Sequence, residues 1–238
     1  MSSNEQGRPF QSVGSRIALV FVALILVTGI VLTVVGVVSR ANETAGATPA
    51  PTSTSDVSAD PDDKSVCGLE GYEATGSLET APLAEWDLVG TLLAPTSTTG
   101  AGPGRVDGDG FRSCYAHTSE GAVLAAANFL ALGTDASLSD RMVELVAPGE
   151  GRDAAAAQSG SGGSTARADI VGYRVGAYTG DATTVDLALN YSTGKLISIP
   201  LKLVWNAGDW MLVLADDGSN PLAPGLLDNL GGYTPWGV

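Results

Sequence analysis

The last third of the chain alternates between apolar and polar positions in four runs, residues 169–178, 183–191, 196–205 and 210–215. The alternation is clearest in Ile197, Ile199, Leu201, Leu203 and Trp205, every second residue, which is the period of a strand with one face on a core. Gly180-Asp181, Thr193-Gly194 and the segment 206–209 separate the runs and read as hairpin turns. These runs predict an antiparallel four-strand meander. Ahead of them the period changes. Thr118-Ser119-Glu120-Gly121 introduces residues 122–133, where Thr118 or Ser119 can cap a helix, Gly133 can end it, and Val123, Ala126, Ala127 and Leu130 share a face. A second helix is expected over 137–147, with Leu138, Met142, Leu145 and Val146 inward and Pro148-Gly149 as the stop. The Ala-, Gly- and Ser-rich residues 151–167 read as a loop with a short helical turn through 154–157. Earlier, residues 86–93 read as one strand ending at Pro95, followed by a Gly/Pro-rich loop over 100–110. The tail 216–238 is expected to pack on the domain through Leu222, Leu226, Leu227, Leu230 and Trp236. Helices followed by a run of hairpins indicate an α+β domain, with helices packed on a curved antiparallel four-strand sheet.

The N-terminal pattern is of another kind. Residues 17–38 hold 22 positions without a charge. As a helix this run is about 33 Å long, enough to cross a hydrocarbon core of roughly 30 Å. A cleavable signal peptide normally has a shorter apolar region, with a small-x-small site directly after it; here Ser39-Arg40 follows. The reading is a retained single transmembrane helix after a cytoplasmic tail, residues 1–16. Arg8 and Arg16 precede the span, which places the N-terminus in the cytoplasm and everything beyond Arg40 outside, at the cell membrane. Gly29, Thr33 and Gly36 share one face of that helix at i, i+4, i+7, a small-residue face for helix packing. Residues 39–65 contain few large apolar side chains among Ala, Thr, Ser, Pro and Asp, and read as a disordered linker. Residues 66–238 form the exported domain.

Charge and composition narrow the functional classes. The chain has 238 residues, 12 Lys and Arg against 26 Asp and Glu, a formal net charge of −14, and one His. Three of the basic residues, Arg8, Arg16 and Arg40, and one of the acidic, Glu5, belong to the N-terminal 40 residues, leaving the exported part strongly acidic. Scattered basic residues cannot neutralise a phosphate backbone, so no direct nucleic-acid binding is expected. One histidine cannot fill two catalytic roles. The only cysteines, Cys67 and Cys114, both fall on the exported side and predict a structural disulfide there. They are too few for a Cys/His zinc cage.

Asp107-Gly108-Asp109-Gly110 resembles the start of a calcium loop, but Phe111 stands at position five and no Glu at position twelve, so it reads as a turn. The residue best placed for chemistry is His117, next to a helix start. An acid/base role would need a second group, Asp169 or Asp186. Without a defined partner His117 reads as a contact to the helix's first turn or a nearby loop. Trp205 and Trp210 flank a turn and read as core and rim aromatics, with a pocket between helix and sheet as the other use. No catalytic residue, metal or cofactor is assigned.

The segment Ala101-Gly102-Pro103 … Gly110-Phe111 … Tyr115-Ala116-His117-Thr118-Ser119-Glu120-Gly121-Ala122-Val123-Leu124-Ala125-Ala126-Ala127 resembles a family of uncharacterised single-span proteins from actinobacterial integrative and conjugative elements. More broadly, a stalked domain of two helices and a meander is similar to the exported domains of type IV secretion and conjugation assembly proteins, with their cone-shaped nuclear-transport-factor-2-like fold. The resemblance covers roughly residues 67–217. It implies a non-enzymatic, membrane-anchored assembly component of a DNA-transfer channel, forming homo-oligomers and contacting other channel subunits. The other expectation from the same architecture is a membrane-tethered extracellular ligand-binding or sensory module.

Overall fold

A computed structural model describes residues 64–158 and 166–238. Two short hairpins come first: β1 (Ala84–Val89) with β2 (Leu92–Ser97), and β3 (Arg105–Val106) with β4 (Arg112–Ser113). Then follow helix α1 (Ser119–Leu132), a 3₁₀ helix (Ala136–Leu145) and helix α2 (Glu150–Ala157). The remaining strands are β5 (Ala168–Val175), β6 (Ala182–Tyr191), β7 (Leu196–Asn206), β8 (Asp209–Leu212), β9 (Gly225–Leu227) and β10 (Thr234–Pro235). They form one six-stranded antiparallel sheet in the order β10-β5-β6-β7-β8, with β9 also pairing β7.

Helix α1 lies inside the domain because its sequence leaves no polar face to solvate. Ala122 through Ala127 are all fully buried, and a helix apolar on every side belongs in a core. The Thr118 side chain accepts a hydrogen bond from the Gly121 N–H at 3.0 Å and caps the first turn, where Glu120 meets the positive end of the helix dipole. Asn128, fully buried in the helix, donates to the carbonyls of Pro95 and Leu124, both at 2.9 Å. The entry is tight: a methyl group at Gly121 would fall on the Ala116 carbonyl. Gly121→Ala is therefore expected to cost about 2–3 kcal/mol through overpacking, seen as a lower denaturant midpoint with an unchanged slope.

The sheet's inner face carries Val185, Leu187 and Leu189 of β6 opposite Leu201, Ile199 and Ile197 of β7. The alternation expected for the four runs is present, with strand ends shifted by a few residues. The outer face is held by Asp186. Its carboxylate accepts from Arg174 at 2.8 Å, from the Ser198 hydroxyl at 2.6 Å and from the Tyr233 hydroxyl at 2.7 Å, tying β5, β7 and the tail to β6.

The expected α+β cone, with helices on a four-strand sheet, is not what forms. The domain is sheet-rich and has few helices. The tail adds β9 and β10 to give six strands, because the sheet leaves part of β7 and the outer side of β5 unpaired and the tail fills both. The helix expected over 137–147 is a 3₁₀ helix. Asp135 caps its start through Ser137, while Val146 leaves it to bridge Leu212 at the sheet edge. The greater rise of 3₁₀ winding, about 2.0 Å per residue against 1.5 Å, suits a segment held at both ends. The single strand expected over 86–93 is a hairpin that turns at Gly90-Thr91. Gly90 takes φ +58, the positive value that two-residue hairpin loops place on glycine. Pro95 does not end the strand; it lies within β2, opposite Trp86. The helical turn expected at 154–157 starts earlier, at Glu150. Leu226 is exposed, whereas Trp236 is buried against Trp86 and Tyr173 and donates its indole N–H to Pro82.

The proposed membrane span, its Gly29, Thr33, Gly36 face and nearly all of the linker lie outside the described residues. Among the described residues no helix is long and apolar enough to cross a membrane.

Candidate functional site

His117, Trp205 and Trp210 meet in one aromatic nest. The β7–β8 turn places the two tryptophans opposite each other across the ladder, in T-shaped contact at 5.5 Å, and the approach to α1 brings His117 against both. The imidazole stacks on Trp205 with 3.8 Å between ring centroids and 6° between planes. Trp210 meets it edge-on at 5.8 Å and Tyr72 at 5.0 Å. His117 Nε2 lies 2.9 Å from the Gly180 carbonyl. A carbonyl only accepts, so that nitrogen carries a hydrogen. Trp210 donates its indole N–H to the Ala116 carbonyl at 3.1 Å. His117 is only 1% exposed.

The nest does not assemble an acid/base pair from the residues the sequence suggested. Asp186 is engaged by Arg174, Ser198 and Tyr233 on the outer face, and Asp169 is exposed. What His117 does here is pack: it joins the 72–73 segment, the 180 turn and the β7–β8 hairpin. His117→Ala is therefore expected to lower stability by about 2–3 kcal/mol, from the emptied stacking site and the unmade hydrogen bond to Gly180. Chemical denaturation of the variant measures this.

Beside the nest lies a carboxylate that sequence reasoning passed over. Asp209 opens β8, is 9% exposed, and accepts the backbone N–H groups of Cys114 at 2.6 Å, Tyr115 at 2.9 Å and Trp210 at 2.8 Å. Burial pushes its carboxyl up to about 6, against the opposing pull of those N–H groups. The sequence held a faint sign of it in an Asp closing a hairpin turn directly before a tryptophan. Cys114 itself takes φ +68, in the left-handed region, and bonds to Cys67. The Asp209 carboxylate thus holds the strained backbone of the disulfide. On the other side of the bridge, Val66 N–H donates to the Gly208 carbonyl at 2.7 Å, tying this segment to the β7–β8 turn, and Leu69 N–H donates to the Ser65 hydroxyl at 2.6 Å.

The turn that resembles a calcium loop holds a cation of the protein's own. Arg141 reaches Asp107, Asp109 and Glu144, each at 2.9 Å, and lies over the Phe111 ring at 3.8 Å. The Phe111 N–H, followed by the guanidinium, holds the Asp109 carboxyl below its usual range. Among the described residues no group of three or more His, Cys, Asp and Glu is placed to hold a metal.

A family model described as a domain of unknown function, DUF8175, matches residues 47–235. The chain belongs to this family. The DUF8175 match spans the tail strands β9 and β10, so the six-stranded sheet falls within the family's unit and is not an addition to it. No curated protein and no solved structure matches the chain.

Proposed function

We propose that this DUF8175 protein is a membrane-anchored, non-catalytic assembly component whose folded domain lies outside the cytoplasm, in a conjugative type IV secretion-like DNA-transfer complex. The observation that carries the reading is the Cys67–Cys114 bridge. Disulfides persist outside the reducing cytosol, and this one closes directly behind a polar linker and a 22-residue apolar run. The resemblance of the loop-to-helix segment to proteins of conjugative elements favours this type of complex. The role of His117 as packing supports a structural part over an enzymatic one.

In-cell crosslinking of the tagged full-length chain in its own host, followed by membrane extraction and mass spectrometry, tests this. Recovery of the chain with itself, with multi-span channel proteins and with a transfer ATPase is the expected result. Recovery of the chain alone would sink the proposal.

A further inference from the structure

A cavity of about 310 Å³ lies where the C-terminal end of α1 passes over β2 and the sheet. Leu92, Phe129, Leu130, Leu189, Leu201 and Leu212 make most of its wall. None of the described residues lining it is charged, and Thr134 and Tyr191 are the only ones with polar side chains. The Thr134 hydroxyl is already committed, donating to the Ala131 carbonyl at 2.7 Å and accepting the Thr91 N–H at 2.9 Å. The cavity therefore offers an incoming molecule a wide apolar wall, with Tyr191 the one further lining residue that carries a polar side-chain group.

Those features select a class of ligand. The cavity is open to solvent on one side, and water lying against its apolar wall finds few of the two to four polar partners that an ordered water makes. A carboxylate or an ammonium would give up its hydration for no countercharge. A small neutral apolar chain gains from every methylene it buries, and the volume is at the lower end for ligand sites, roughly 300–1,000 Å³. We propose that this cavity binds a small neutral amphiphile, one apolar chain ending in a single hydrogen-bonding group, of the class of a medium-chain alcohol or monoacyl ester. Tyr191 meets the polar end. This site is independent of membership in a transfer channel, and the two readings stand or fall separately.

The test labels the full chain in lipid nanodiscs with a diazirine-bearing decanol, with empty nanodiscs as the blank, and maps labelled peptides by mass spectrometry. Saturable labelling is expected within 129–134 and 189–191. Unlabelled alcohols compete, with potency rising about fourfold per added methylene until the chain outgrows the cavity. Decanoate competes about tenfold or more weakly than decanol, because its charge has no partner. Leu130→Trp, filling the cavity from its half-buried rim, abolishes the labelling; Ala168→Leu does so from the β5 side should the tryptophan variant fail to fold. Absence of saturable labelling, equal competition by decanoate, or labelling unchanged in the filled variants overturns the proposal.

Discussion

Cys114→Ser lowers the stability of the domain by about 4 kcal/mol, a drop of about 8–16 °C in the thermal midpoint. The bridge spans a sequence separation of 47, and closing a loop of that length in the unfolded chain accounts for a loss of about this size. The two cysteines are not equivalent. Cys114 is fully buried and Cys67 is half-buried. Serine at 114 also places a hydroxyl in a buried position, so Cys114→Ser falls further than Cys67→Ser. Cys67→Ser in turn matches the wild-type chain under reductant. Thermal melts followed by circular dichroism, with and without reductant, check the ranking. Midpoints unchanged to within a degree or two would show that the bridge contributes nothing to stability.

Asp209→Ala costs about as much, of order 4 kcal/mol, because it orphans the buried N–H groups of Cys114 and Tyr115 together with that of Trp210. The effect on pH dependence separates charge from hydrogen bonding. The folded-state carboxyl titrates at about 6, above its unfolded value of 3.8. Between those values the folded state binds the proton that the unfolded state has released. Stability from this group is therefore fully present below pH 3.8, declines as pH rises toward 6, and is gone above it, a change of order 3 kcal/mol. Urea denaturation between pH 4 and 7 should show stability falling across this window in the wild type and a flatter profile in Asp209→Asn. Equal slopes in the two proteins would remove Asp209 as the source. Neither protonation state releases the backbone N–H groups, since both retain acceptor oxygens.

The alternation was legible in β7, where Leu201 and Leu203 are buried and Lys202 between them is exposed, and a period of two is the direct imprint of one wet and one dry face; β6 is buried on both faces from Val185 to Leu189. The α1 cap was legible as Thr118 or Ser119, and the structure places it at Thr118. Strands β9 and β10 were not. Gly225–Leu227 and Thr234–Pro235 are too short to show a period, and they pair only where the sheet leaves backbone groups open. The 3₁₀ helix was misread for a related reason. Its residues carry a helical pattern, but the geometry between its fixed ends determines the winding.

The aromatic nest was half legible. Trp205 and Trp210 across a turn, and His117 before a helix, were visible as separate residues. That they stack depends on contacts more than 85 positions apart in the chain. Asp209 was invisible as a functional residue, since one Asp in a turn resembles any other until Cys114 and Tyr115 come to its oxygens.

By itself, then, the sequence determined the strand period of the meander, the start of the central helix and the pairing of its only two cysteines, all properties of local spacing or of small number. Tertiary structure alone decided the sixfold sheet, the burial of His117 and the raised carboxyl of Asp209. Each of these depends on which distant groups arrive to satisfy or desolvate a residue, and spacing along the chain does not encode those arrivals.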